Sequence, residues 1–312
     1  MPQKLDVAII GGGPGGLSAG IYAKRAMLKT VLFEKAMLGG QVAISTEIEN
    51  YLGYQRISGA ELSAHFISHA QHAELDIVME EVVSLQVEKN NHTIKLLNGS
   101  EIKASTVILA MGGKPKPLNI PGEKENYGRG VSYCAVCDGF FFRNKTIVVV
   151  GGGNTAVEDA IYLAGLAEKV YLVHRRDELR AEKILAEQAI ANPKIEIIWR
   201  TVVTEVLSDS TGVTGVMLKN AETGATKSLA TDGLFIFAGF EPNIDILPKE
   251  ITLNKDGYVQ TDEYCQTSVA GIFAIGDVRR GHHRQIIIAT GDGAIAALSA
   301  NYYLTNCCTI KE

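Results

Sequence analysis

Short apolar runs, each closed by glycine or a charged residue, recur along the chain. Leu5-Asp6-Val7-Ala8-Ile9-Ile10 is the first and reads as a buried strand. Gly11-Gly12-Gly13-Pro14-Gly15-Gly16 follows directly, Leu17–Leu28 reads as a helix, and Thr30-Val31-Leu32-Phe33 is a second strand ending at Glu34. The same order returns with Thr146–Val150, Gly151–Ala156, Val157–Leu166 and Val170–Val173. Laid over one another without a gap, Gly11 meets Gly151, Gly13 meets Gly153 and Glu34 meets His174. The pattern predicts an α/β chain with two Rossmann-like three-layer units. Val82–Leu97 and Thr201–Phe237 alternate apolar and polar positions, which predicts an added β-meander in each unit, and Asn98-Gly99 is a turn signal. Arg284–Leu304 reads as a helix.

The glycines carry the first chemistry. Gly11, Gly13 and Gly16 fit G-x-G-x-x-G, whose glycines permit the tight turn, the approach of a pyrophosphate and close helix–strand packing. The helix that follows offers free N–H groups to phosphate. Glu34, 18 residues beyond Gly16, stands where an acid accepts hydrogen bonds from a ribose 2′-hydroxyl. The second copy, Gly151-Gly152-Gly153-Asn154-Thr155-Ala156, ends its strand on His174-Arg175-Arg176, with Arg180 four residues on. An acid repels a 2′-phosphate, whereas a basic cluster pairs with one. The first site therefore suits an unphosphorylated adenosine ribose and the second suits NADP(H). Two such sites in one chain suggest a flavin beside a nicotinamide. A solvated helix face remains the bland reading of the three arginines.

Cys134-Ala135-Val136-Cys137-Asp138 precedes the second copy. C-x-x-C spacing brings two sulfurs within disulfide reach when the backbone turns, and the neighbouring Asp138 is a candidate acid/base. Zinc needs about four ligands. There is no second C-x-x-C, and adjacent His282 and His283 rarely serve one metal together, so no metal site is expected. Two ordinary buried cysteines remain the other alternative. Cys265 reads as structural, and Cys307-Cys308 as incidental thiols or a second relay.

Composition narrows the class. The 312 residues predict two or three domains. The 30 basic and 35 acidic residues give a net charge of −5, unsuited to nucleic acid or an anionic membrane. With 46% hydrophobic and 21% charged residues the chain is ordinary for a globular protein. No apolar run is long enough to span a bilayer, and the N-terminal residues lack a signal-peptide pattern, so a cytoplasmic location is expected.

The two nucleotide units, Cys134-x-x-Cys137-Asp138-Gly139 and His174-Arg175-Arg176-x-x-x-Arg180 resemble the low-molecular-weight thioredoxin reductases, homodimeric FAD enzymes, over nearly the whole chain. Gly39-Gly40-Gln41, Glu47–Tyr51, Gly128–Ser132, Gly271–Asp277 and Arg284-Gln285-Ile286 match further family segments. The resemblance implies FAD at Gly11, Gly13, Pro14, Gly16, Glu34, Lys35, Gly40, Gln41, Asn50, Gly276, Asp277, Arg284, Gln285 and Ile286. It implies NADPH at Gly151, Gly153, Asn154, Thr155, Ala156, His174, Arg175, Arg176 and Arg180. Residues 1–114 with 245–312 would bind FAD, and 115–244 would bind NADPH and carry the cysteines. Cys137 would face the flavin, Cys134 would attack the disulfide of thioredoxin, and the two units would rotate between half-reactions. Phe140-Phe141-Phe142 follows the cysteines; Phe141 and Phe142, with Arg129, would dock thioredoxin.

Two stretches depart from the family pattern. Ala110-Met111-Gly112 replaces a hydroxyl-bearing turn, and Arg279–His283 is more basic than the usual loop and reads as a solvated surface run. Three rivals stand beside this reading: a flavin reductase of another disulfide partner (a glutaredoxin-like protein or a peroxiredoxin system), a ferredoxin–NADP reductase, and a non-catalytic NADP(H) sensor. The cysteine pair argues against the second.

Overall fold

In the computed structural model, residues 4–45, 47–279 and 283–307 are described. The chain divides into two units, Met1–Lys114 with Glu241–Glu312, and Pro115–Phe240. The first stretch carries β1 (Leu5–Ile10), α1 (Pro14–Arg25), β2 (Thr30–Glu34), α2 (Gly59–His72), β3 (Asp76–Met79), β4 (Val82–Gln86), β5 (His92–Leu96), β6 (Glu101–Leu109) and β7 (Gly113–Pro115). The inserted stretch carries β8 (Val131–Ser132), α3 (Ala135–Asp138), β9 (Thr146–Val150), α4 (Asn154–Ala164), β10 (Lys169–Val173), α5 (Lys183–Ala191) and β11 (Ile195–Ile198). It continues through β12 (Thr201–Asp209), β13 (Gly212–Asn220), β14 (Thr226–Ala230) and β15 (Gly233–Ile236). The chain returns through β16 (Phe240–Pro242), β17 (Ile272–Ala274) and α6 (Ile286–Cys307). β7 and β16, at the two crossings, pair as a two-stranded ribbon.

In the first unit one long strand joins the parallel sheet to the meander. The start of β6 pairs antiparallel with β5, closing the hairpin at Asn98-Gly99, where Gly99 has φ +85°. Its end runs parallel to β17, and along most of its length it runs parallel to β1. Val7, Ile9, Leu32, Ile108 and Phe273 are fully buried beneath α1 and α6. Parallel strands covered on both faces are apolar nearly throughout, as the sequence of β1 shows.

The second unit has the strand order β11-β10-β9-β15-β8, all parallel, and β12-β13-β14 form a separate antiparallel sheet. This corrects the expectation for Thr201–Phe237. Its last strand, β15, leaves the meander for the parallel sheet, because all four of its residues are buried. A strand with no polar face cannot end a half-exposed hairpin.

Small residues set the approach of α1 to α6. Ala19, Ala23, Ala296, Ala297 and Ala300 are buried between them. A Cβ on Gly293 would lie 2.3 Å from the Gly15 carbonyl oxygen. Gly293→Ala therefore forces the helices apart and should cost about 1–3 kcal/mol, read as a lower melting temperature of the whole protein. An unchanged melt would show that the helix pair has slack at this point. Among the described residues no helix is long and apolar enough to cross a membrane.

Candidate active site

Parallel strands end at a common edge, and ligands of such sheets bind there. In the first unit this edge collects Gly11 after β1, Glu34 at the end of β2, Met111 after β6 and Gly276 after β17. Gly11 has φ +111°, and a Cβ on Gly16 would fall 1.9 Å from the Gly11 oxygen, so the turn and the helix contact both require glycine. Gly13 has nothing within 4 Å where a Cβ would stand. α1 begins at Pro14 with no side-chain cap, which leaves its first N–H groups to a phosphate.

The Glu34 carboxylate accepts hydrogen bonds from the Gly12 N–H (2.7 Å) and the Ala36 N–H (2.9 Å). It is thereby aimed, with lone pairs left for ribose hydroxyls. Lys35 is exposed beside it and pairs with Glu81 at 3.5 Å. The Gly39 N–H donates to the Gly12 oxygen (2.8 Å), which seats Gly40 against Gly13. The Gln41 amide donates to the Gly113 carbonyl. The Asn50 amide donates to Gln285 Oε1 (3.2 Å), joining two expected site residues 235 positions apart. Gln285 and Ile286 stand at the start of α6, and Ala289 one turn on touches both Gly15 and Gly276. Burial pushes the Asp277 carboxyl up to about 6, with Arg284 opposing and Asp292 adding to the rise. An open phosphate cradle, an aimed ribose acceptor and a polar group at Asp277 together fit FAD.

In the second unit Gly151 has φ +155°, and the methyl of Ala156 fills the space where its Cβ would stand, 2.4 Å away. Gly151 thus leaves the room that Ala156 occupies, whereas in the first unit Gly16 is itself the position with no room for a methyl. Gly153 is open, approached at 4.0 Å only by an Arg180 guanidinium nitrogen, and α4 begins at Asn154-Thr155 without a side-chain cap. His174 is buried beneath Gly152, with its ring edge-on to Trp199. Burial lowers its pKa, keeping it neutral. Arg175, Arg176 and Arg180 are exposed. The Arg180 and Ala181 N–H groups donate to the Gly152 oxygen (2.7 and 3.1 Å). Asn154 Oδ1 accepts the Glu182 N–H (2.8 Å), and these three bonds latch the arginine segment to the glycine turn.

The same sheet edge carries the thiol chemistry. β8 lies two strand positions from β9, about 10 Å away. Cys134 and Cys137 are joined in a disulfide with Cα atoms 5.3 Å apart. Cys134 is half-buried and Cys137 exposed. Cys134 Sγ accepts the Cys137 N–H at 3.2 Å. Burial raises the Asp138 pKa, and a hydrogen bond from Ser132 opposes the rise.

Phe142 is not a docking residue. It is 8% exposed, set edge-on against Phe235, and Gly233 is the glycine that makes room for its ring. Phe141 is half-buried against the same core. Phe140 is the exposed ring, 54% accessible, with the Arg143 guanidinium 5.3 Å over its face. Arg129 is exposed and donates to the Ser210 carbonyl.

Arg279 is likewise no solvated surface residue. It pairs with both carboxylate oxygens of buried Asp292 at 3.1 Å, and Asp292 also accepts the Gly276 N–H. A lone aspartate in the apolar run of α6 was the available signal. Arg280–His282, Cys308 and the Cys307 side chain lie outside the described residues. Cys265 is buried, with its sulfur 3.8 Å from the Asp292 carbonyl oxygen. Among the described residues no group of three or more His, Cys, Asp or Glu is placed to hold a metal ion.

The pyridine nucleotide-disulphide oxidoreductase family model matches residues 5–293. The thioredoxin reductase of Bacillus subtilis (strain 168) is 42% identical over 299 residues, covering 96% of this chain and 94% of the relative. The crystal structure of thioredoxin reductase from Streptococcus pyogenes MGAS5005 superposes with a TM-score of 0.93 at 41% identity, covering 97% and 98%. That of Lactococcus lactis in its FR conformation scores 0.65 at 40% identity, covering 97% and 99%.

Proposed function

The chain belongs to the pyridine nucleotide-disulphide oxidoreductase family, and from that premise we propose that it reduces the disulfide of thioredoxin with NADPH, using FAD and the Cys134–Cys137 pair. The observation that carries the proposal is the bonded cysteine pair on the same sheet edge as an uncapped glycine turn flanked by exposed arginines.

NADPH binds with its pyrophosphate over Gly151–Ala156 and its 2′-phosphate among Arg175, Arg176 and Arg180. His174, neutral and buried, supports the turn from below without adding a charge. Gly11–Gly16, Glu34, Lys35, Gly40, Gln41, Asn50, Gly276, Asp277 and Arg284–Ile286 hold FAD. When bound, FAD supplies the means of converting a hydride from NADPH into two electrons for a disulfide. Cys137 would be the sulfur that takes up those electrons, Cys134 is the nucleophile toward thioredoxin, and Asp138 carries the protons.

Both the nicotinamide and the cysteines belong to the second unit, so each must meet the flavin in turn. Rotation of the inserted unit about its two crossings, Lys114-Pro115 and Phe240-Glu241, does this. Support comes from a relative: the Lactococcus lactis thioredoxin reductase, 40% identical, is described in a named FR conformation. Phe140, with Arg129, is the docking surface for thioredoxin. A cytoplasmic homodimer completes the reading.

The test is NADPH oxidation by the purified yellow protein with thioredoxin as acceptor, beside a quinone or dye. Thioredoxin-dependent turnover is the expected result. Turnover with dyes alone would remove the cysteines from the electron path and move the protein to the ferredoxin- or quinone-type reductases.

A further inference from the structure

Ser132 is buried at the end of β8, two residues before Cys134. Its hydroxyl makes three contacts. It accepts the Cys134 N–H at 3.0 Å, lies 2.5 Å from Asp138 Oδ2, and lies 3.2 Å from the Cys134 carbonyl oxygen. That carbonyl also accepts the Asp138 N–H at 3.2 Å. A hydroxyl has one proton to donate and two lone pairs. Asp138 and the Cys134 carbonyl are both within its reach, so the proton has two alternative destinations.

This inference rests on the proposed role of Asp138. In that role Asp138 passes through both protonation states in each turnover. Ionised Asp138 takes the proton of the Cys134 thiol. The Cys134 thiolate attacks one sulfur of the thioredoxin disulfide, so the Cys134–sulfur bond forms as the thioredoxin disulfide breaks. The departing thioredoxin thiolate then takes the proton back from Asp138. A buried carboxyl that changes state normally leaves a neighbour unsatisfied in one of the two.

We infer that Ser132 is a positioning residue whose hydroxyl turns between Asp138 and the Cys134 carbonyl, satisfying Asp138 in both protonation states while holding the Cys134 N–H throughout. With Asp138 ionised, Ser132 donates to its carboxylate. With Asp138 neutral, the carboxylic O–H donates to Ser132 Oγ and the serine proton turns to the Cys134 carbonyl. With Asp138 ionised the hydroxyl uses its donor and one lone pair, with Asp138 neutral its donor and both lone pairs, and no donor is orphaned in either state. Neighbouring titratable groups do not take this part. Tyr127 feels the Asp138 charge, which adds to burial in raising its own pKa. Tyr133 turns its hydroxyl to Glu123 at 2.7 Å. From α4 the ring of Tyr162 reaches Gly139.

The experiment is the pH profile of kcat/KM for thioredoxin in the FAD-loaded wild type, Ser132→Ala, Asp138→Asn and the double variant. Removing the hydroxyl leaves the burial of Asp138 and deletes its bonds in both states; the charge-assisted one to the carboxylate is the stronger, so the net loss falls on the charged form. The acid limb in Ser132→Ala should therefore move up by about one pH unit. Bleaching of the flavin by NADPH should keep its wild-type rate. Asp138→Asn should lose that limb, and adding Ser132→Ala to it should change the profile no further. A Ser132→Ala limb at the wild-type pH, with Asp138→Asn having lost it, would overturn the inference and leave the role of Asp138 standing. So would a shift by Ser132→Ala in the Asp138→Asn background. Retention of the limb in Asp138→Asn would instead sink the role of Asp138, and the inference with it.

Discussion

Replacing Cys134 or Cys137 with serine lowers thioredoxin-dependent NADPH oxidation by about 10³-fold or more, while NADPH still bleaches the bound flavin. The two effects separate because the residues act on different steps. Hydride delivery needs the glycine turn at Gly151 and the arginine cluster, and neither cysteine belongs to these. Disulfide exchange needs both sulfurs, one to attack and one to resolve. A serine hydroxyl is a weak nucleophile at neutral pH and forms no mixed disulfide. The two variants should also differ. Cys137→Ser retains the proposed attacking sulfur and should trap thioredoxin as a stable mixed disulfide, whereas Cys134→Ser should not. Stopped-flow absorbance follows the flavin, and non-reducing electrophoresis follows the trapped species. Trapping by Cys134→Ser and not by Cys137→Ser would exchange the two roles. Unchanged turnover in both would take the pair out of catalysis.

The arginine cluster should govern the choice of nucleotide. Removing Arg175 and Arg176 together lowers kcat/KM for NADPH by about 10²-fold or more, since each charge-assisted hydrogen bond to phosphate contributes about 1.5–3 kcal/mol. The value for NADH should stay within about threefold, because the missing groups have nothing to bind on an unphosphorylated ribose. Arg180 should behave differently. Its guanidinium stands by Gly153, where the pyrophosphate common to both nucleotides would lie, so Arg180→Ala should weaken NADPH and, to a smaller extent, NADH. Raised salt should narrow the NADPH advantage of the wild type, because the guanidinium groups are exposed. Equal losses for both nucleotides in the Arg175–Arg176 double variant would remove these residues from the 2′-phosphate site.

Both predictions rest on residues that stand out in the sequence, and the reason is their short range. A glycine turn between strand and helix is dictated by neighbours within a few positions, so Gly11–Gly16 and Gly151–Ala156 announce themselves. The substitution of His174 for Glu34 is legible for the same reason, once the two copies are aligned. The C-x-x-C pair is one helical turn, so its spacing is enough to bring the sulfurs together.

The misjudged residues depend on distant partners. Three consecutive phenylalanines look alike in sequence, yet Phe142 enters the core because Gly233, some 90 positions on, leaves space for its ring. Arg279 lies in a basic stretch that reads as surface, but Asp292 on α6 draws it inward. β15 looks like the end of a meander until β8 and β9 are found on either side of it.

By itself, then, the sequence determined the two strand–glycine turn–helix units, their opposite ribose chemistry and the cysteine pair, because each is a local pattern whose geometry the backbone of a few residues specifies. The tertiary structure alone decided which phenylalanine faces solvent, that Asn50 meets Gln285, that Asp292 holds Gly276 and Arg279, and that Ser132 stands between Cys134 and Asp138. Those contacts depend on how strands and helices are brought side by side, and a buried polar group is satisfied by whichever partner the packing delivers, not by its neighbours in the chain.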